Sequence, residues 1–241
     1  MRNSRQNWFD RIRVTFNAFS DVPFTTYYKK RISPLLNKKT TTPKIKDVYK
    51  AFDLVPFEKV RVVILGQDPY YQVFGKETYA TGLAFALNPK ILKTGKLKTL
   101  KGGKSLRTIL KAIGTELGKA VSDNPTTDLE SWAKEGVLLL NTALTTRQNV
   151  PNAHLNAWKG FIASVILALN AKTERIYYVL TCESAKALAP LIQPPHKVFF
   201  NYKHPSRCWR ISSRLKEKKA EIKFFETTHR DMGITWGKVL E

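Results

Sequence analysis

The chain has 241 residues, 43% of them hydrophobic, enough to bury the core of one α/β domain. Its 41 lysines and arginines stand against 19 acidic residues, a formal net charge of +22 that makes a polyanion, nucleic acid first, the expected partner. Two cysteines exclude a disulfide framework or a four-cysteine metal cluster, and the longest apolar stretch is too short to cross a bilayer. Met1–Arg13 is polar and basic with no apolar signal core, so a cytoplasmic, monomeric protein without membrane contact is expected.

In chain order, Pro23–Leu36 is predicted to be helical. Val60–Leu65 carries aliphatic and β-branched residues without alternation, as a strand buried on both faces of a parallel sheet does. Gly66 lets the chain turn sharply after it, and Pro69 ends any further ladder pairing. Asp68 is therefore placed beyond the carboxyl end of a central strand, where open α/β sheets hold their ligands. Phe85 follows in GLAFAL, and Lys90–Arg107, with three glycines and no acidic residue, reads as a basic loop. Ser105 opens a helix running to Leu117, and Val137–Leu140 is a second buried strand that ends at Asn141. Leu155–Asn170 spaces Trp158, Phe161, Ile162, Val165, Ile166 and Leu169 as an amphipathic helix does. A strand at Arg175–Leu180, a helix at Glu183–Leu191, a strand at Lys197–Asn201 and a final helix at about Ser213–Thr227 complete the pattern. Strands separated by helices predict a single α/β domain, 1–241, with a central, mostly parallel four-stranded sheet flanked by helices.

Asp68, Asn141 and His204 (in HPS, after KVFFNYK) all fall just past strands and should meet at the carboxyl edge of one sheet. GQDPYY, GLAFAL, ESWAKEGVLLLNTALT and HPS, in that order, resemble the signature blocks of the family 1 uracil-DNA glycosylases. The similarity runs from about Tyr49 to the C-terminus, where GITW resembles the family's closing segment; residues 1–48, basic and helical, match least. The resemblance implies a DNA repair enzyme that flips uracil out of DNA and hydrolyses its N-glycosidic bond, leaving an abasic site. It implies that Asp68 activates water and steadies the oxocarbenium ion, and that His204 stabilises the uracil anion. It further implies that Asn141 reads the uracil edge, Phe85 stacks on the ring, Tyr70 blocks a thymine methyl, and the backbone at Gln67 holds a uracil oxygen. No cofactor or metal is implied. His154, His196, His204 and His229 are scattered and form no ligand motif. The implied partners are uracil-containing DNA, single- or double-stranded, and a DNA-mimicking inhibitor protein of the kind that binds some relatives.

The chain departs from the family pattern where the family grips DNA. Tyr71 replaces the usual His, Lys101–Lys104 replaces a Pro-rich loop while keeping Ser105, and Thr181–Cys182 replaces a Gly-Ser loop. After His204 and Ser206 comes Arg207–Cys208–Trp209–Arg210 instead of Pro-Leu, which makes Trp209 the expected duplex wedge. Ser105, Ser206, Arg207, Cys208, Trp209 and Arg210 are thus the expected DNA contacts. Two readings stay open: a working glycosylase whose lost loop contacts are offset by Lys and Arg, or an attenuated or inactive homologue acting as a DNA-binding or inhibitor-decoy protein. An unrelated nucleotide-binding protein would need a phosphate loop, and KTGKLKTLKGGKS fits neither the P-loop nor the dinucleotide fingerprint.

Overall fold

The structure is a computed structural model and describes residues 3–92, 103–122, 125–201, 203–212 and 222–237. Its first element gives bounds to the helical character expected of the basic N-terminal region. Helix α1 (Ser4–Phe19) is opened by the Asn3 side chain, which accepts from the Arg5 N–H at 3.1 Å. Trp8, Ile12 and Phe16, four residues apart, form its buried stripe. Trp8 meets Phe52 and Phe57 edge-on and donates its indole N–H to the Val55 carbonyl at 2.8 Å.

Five strands make the main sheet: β1 (Val62–Gly66), β2 (Val137–Asn141), β3 (Tyr177–Leu180), β4 (Lys197–Asn201) and β5 (Ile211–Ser212). Their spatial order is β2-β1-β3-β4-β5. The first four run parallel and β5 pairs antiparallel to β4 at the edge. This matches the expected four-stranded parallel sheet, with a short fifth strand added. All five residues of β1 and of β2 are buried, which explains their unbroken apolar runs.

Helices α2 (Lys104–Leu117), α3 (Leu155–Leu169) and α4 (Phe224–Met232) flank the sheet, with α3 packed on α1 and α2 on α4. The buried face of α3 is the predicted set, from Trp158 to Leu169. Each such large apolar side chain contributes about 1.5–3 kcal/mol by leaving water.

Several boundaries differ from expectation. Pro23–Leu36 is helical but broken into an α turn, a π turn and a 3-10 turn. Helix α2 starts at Lys104 with Gly103 in the cap position, so Ser105 lies inside the first turn and does not open the helix. The helix expected at Glu183–Leu191 is a short α turn, Glu183–Lys186, followed by a 3-10 turn. Of the final predicted helix, residues 213–221 lie outside the described residues, as do 93–102 of the basic loop; the described part, α4, begins at Phe224. The N-terminal region is tied into the body by Thr41–Thr42, which pairs antiparallel with Thr146–Arg147.

Candidate active site

The site is built on the carboxyl ends of β1 and β2, where Gly66 and Asn141 are register partners. The turn after β1 is fastened to the turn after β2 by three bonds. Thr142 N–H donates to Gly66 O (2.9 Å), Ala143 N–H to Gln67 O (3.0 Å), and the Thr142 hydroxyl to Gln67 O (2.7 Å). Asn141 is 7% exposed, and its amide makes no hydrogen bond to another described residue. A buried amide left open in this way is a group waiting for a ligand.

Gly66 shows how tightly the pocket is drawn. A Cβ on it would lie 2.3 Å from Asn141 Oδ1 and 3.2 Å from Phe85 Cζ, so the amide and the phenyl ring meet over bare backbone. Phe85 adopts φ +65°, a left-handed conformation that costs an aromatic residue on the order of 1–3 kcal/mol. Its neighbours hold it there, through Ala84 N–H to Leu139 O (3.1 Å) and Leu87 N–H to Thr127 O (2.8 Å). The Tyr70 hydroxyl reaches the Phe85 carbonyl at 3.5 Å. Burial pushes that phenol above its ordinary pKa, while the Leu106 backbone, Arg107 and the Ser105 hydroxyl pull it back, so it stays neutral.

Asp68 is half-buried, and its Oδ2 accepts from the Asn152 N–H at 2.6 Å. Burial raises its pKa above the usual carboxylate value, and the hydrogen bond from the Asn152 backbone opposes that rise. The Gln67 side chain donates to Asn152 Oδ1 at 2.5 Å.

His204 follows β4, a strand two spacings (about 10 Å) from β1 in the same parallel sheet. The Ser206 backbone N–H donates to His204 Nδ1 at 3.2 Å, so Nδ1 carries a lone pair and the neutral ring bears its proton on Nε2. Burial, with Arg207 nearby, lowers the imidazole pKa and favours this neutral form. Fully buried Asn201 clamps the loop that carries His204: Nδ2 donates to Cys208 O (3.2 Å) and Oδ1 accepts from Arg210 N–H (2.8 Å).

The Tyr70 hydroxyl meets the Phe85 carbonyl, Phe85 and Asn141 face each other over Gly66, Gln67 and Asp68 are both bonded to Asn152, and His204 follows β4 in the same parallel sheet. The expected DNA contacts divide. Arg207 and Arg210 are exposed, while Ser206 and Cys208 are half-buried. Ser105 is 7% exposed, so it lies inside the packed wall and offers no open surface. Trp209 is not a projecting wedge. It is 8% exposed and stacks on Phe225 with ring centres 5.1 Å apart, because the large indole gains more from burial than from solvent. Asn152, Asn201 and Thr142 were not singled out from the sequence. Each is a short polar residue whose partner is set only by the tertiary fold.

Comparison with known proteins agrees with this geometry. The model of the uracil DNA glycosylase superfamily matches residues 52–228. A curated uracil-DNA glycosylase of Campylobacter hominis is 37% identical over 186 residues, 76% of this chain and 73% of that protein. The crystal structure of mimivirus uracil-DNA glycosylase superposes with a TM-score of 0.68 at 25% identity, covering 83% of this chain and 68% of that one. A single-residue variant of mimivirus UNG in complex with UGI gives a TM-score of 0.67 at 25% identity, covering 86% and 70% of the two chains. The strand-end turn at Asp68, the open amide of Asn141 and these similarities make one assignment: the chain belongs to the uracil-DNA glycosylase superfamily.

Proposed function

We propose that this protein excises uracil from DNA, cutting the bond between C1′ of the deoxyribose and N1 of an extruded uracil. The observation that carries the proposal is the Asn141 amide, on a residue 7% exposed, facing Phe85 over Gly66 with no hydrogen bond to another described residue. Its Nδ2 donates to uracil O4 and its Oδ1 accepts from N3–H, with the ring stacked on Phe85. Cytosine presents the reverse pattern at both positions, and a site that leaves buried polar groups unpaired discriminates by about 10⁴–10⁵. Tyr70 fills the space a thymine methyl needs.

As the bond breaks, its electron pair passes to the uracil ring and positive charge develops on the sugar. Asp68, held ionised by the Asn152 N–H, stabilises that charge and takes a proton from the water that adds to C1′. The Nε2–H of neutral His204 donates to uracil O2 as it becomes anionic, and a preorganised donor of this kind is worth about 3–4 kcal/mol. Uracil leaves as its anion and is protonated at release, Asp68 gives up the proton it took from water, and the products are free uracil and an abasic site.

DNA is drawn to the chain by its charge of +22, and Arg207 and Arg210 lie exposed beside His204. The protein acts as a cytoplasmic monomer of one domain, and a DNA-mimicking inhibitor protein would occupy the same face; the complex of a mimivirus relative with UGI supports the latter. The test is abasic-site formation on a uracil-containing oligonucleotide, with Asp68→Asn as control. After alkali treatment, which breaks the strand at abasic sites, cleavage at uracil is expected with the wild type alone, whereas tight binding without alkali-labile sites would support an attenuated, DNA-binding relative.

A further inference from the structure

We propose that Asn152 is the positioning residue of the reaction centre, one residue that fixes both Gln67 and Asp68 through a left-handed backbone conformation. The inference rests on the excision chemistry proposed above and adds a residue to it. Asn152 is separated from Asp68 by 84 positions, yet it bonds to two successive residues of the turn after β1. Its backbone N–H points at Asp68 Oδ2 and its side-chain Oδ1 at Gln67 Nε2. Its φ is +62°, a region that asparagine tolerates far better than most residues.

The loop carrying Asn152 is built to hold this pose. Asn149, also left-handed at φ +61°, donates its N–H to Tyr71 O at 2.8 Å, so the loop hangs from the Asp68–Tyr71 turn at two places. The Thr146 hydroxyl closes the loop on itself: it donates to Val150 O at 2.8 Å and accepts from Ala153 N–H at 3.1 Å.

Only asparagine meets every demand at this position. Glycine adopts the conformation without strain but offers Gln67 no acceptor. Alanine lacks the acceptor and is strained. Aspartate supplies acceptor and conformation but sets a second negative charge beside Asp68. The charged and titratable groups around Asp68 do not substitute for this contact. Arg147 of the same loop is exposed, His154 is bonded to the Thr145 hydroxyl at 3.0 Å, and His204 lies across the edge of the sheet.

The test compares wild type, Asn152→Gly, Asn152→Asp and Asn152→Ala in the full chain. It reads the acidic limb of kcat against pH and, independently of activity, the Asp68 carboxyl pKa by 13C NMR. Asn152→Asp is expected to move both upward by about one unit through like-charge repulsion. Asn152→Gly is expected to leave both in place while raising KM several-fold, because the N–H remains and only the Gln67 anchor is lost. Asn152→Ala is expected to lower kcat about tenfold, and Asn152→Gly should restore it. A wild-type Asp68 pKa in Asn152→Asp, or a shift in Asn152→Gly as large as in Asn152→Asp, would overturn the assignment. The NMR arm decides this even in a chain that excises nothing, whereas absence of excision by the wild type would count against the proposed function alone.

Discussion

Gly66→Ala is the sharpest perturbation the site offers, since it adds one methyl group where Asn141 and Phe85 meet. The new Cβ would sit 2.3 Å from Asn141 Oδ1, 3.2 Å from Phe85 Cζ and 3.4 Å from Ala84 Cβ. The amide must retreat by about 0.7 Å to reach even 3.0 Å, a distance real Cβ atoms essentially never undercut. Phe85 has little room to yield, because its φ of +65° is already set by the backbone bonds on either side. A misplacement near 1 Å at a reacting group costs on the order of 100-fold in rate. Single-turnover excision from a uracil-containing oligonucleotide should therefore fall about 100-fold and stability by about 1–3 kcal/mol through overpacking, while DNA affinity changes little, since the basic surface is untouched. Wild-type excision by Gly66→Ala would show that the Asn141 amide does not read the base.

Asp68→Asn should reduce excision by orders of magnitude and leave DNA binding nearly unchanged; both are measured on one gel series. Because burial raises the Asp68 pKa, excision should fall as pH drops through a value above the ordinary carboxylate pKa, and a pH–rate profile with its limb at or below the ordinary value would contradict this. Asn141→Asp should gain measurable cytosine release, since a protonated carboxyl presents the complementary edge. Trp209→Ala should cost about 3–5 kcal/mol of stability through the lost stacking on Phe225, and it should affect single- and double-stranded substrates alike. Glu116, which accepts from the Phe225 and Glu226 N–H groups at the start of α4, is pushed by burial to a pKa of about 7. Its folded pKa exceeds the unfolded value, so it holds a proton more tightly when folded, and stability should decline as pH rises from about 4.5 to 7. In Glu116→Gln, the Tm–pH curve should lose that decline.

The edge that carries the candidate site is legible because its residues sit in segments whose local pattern is unambiguous. The unbroken apolar run of β1 ends in a glycine and a proline, so Asp68 had to lie past a buried strand. Asn141 and His204 follow strands of the same kind, and the structure places all three on one edge. Residues 1–48 read as helical, but the bounds of α1 are hidden because Arg5, Arg11 and Arg13 dominate its composition, although Trp8, Ile12 and Phe16 carry the helical spacing. Trp209 reads as a wedge because it follows HPS where the family has Pro-Leu; its burial depends on Phe225, which the local sequence does not reveal. Asn152 and Asn201 were invisible for the same reason. Each is a short polar residue whose partners are chosen by loop geometry, and only the packed chain shows that one holds Asp68 and the other the His204 loop.

A crystal structure of the protein with uracil in the site tests the central claim most directly. The account predicts the uracil ring stacked on Phe85, O4 and N3–H within hydrogen-bond distance of the Asn141 amide, and O2 near His204 Nε2. Uracil bound elsewhere, or an Asn141 amide turned away from its edge, would contradict it.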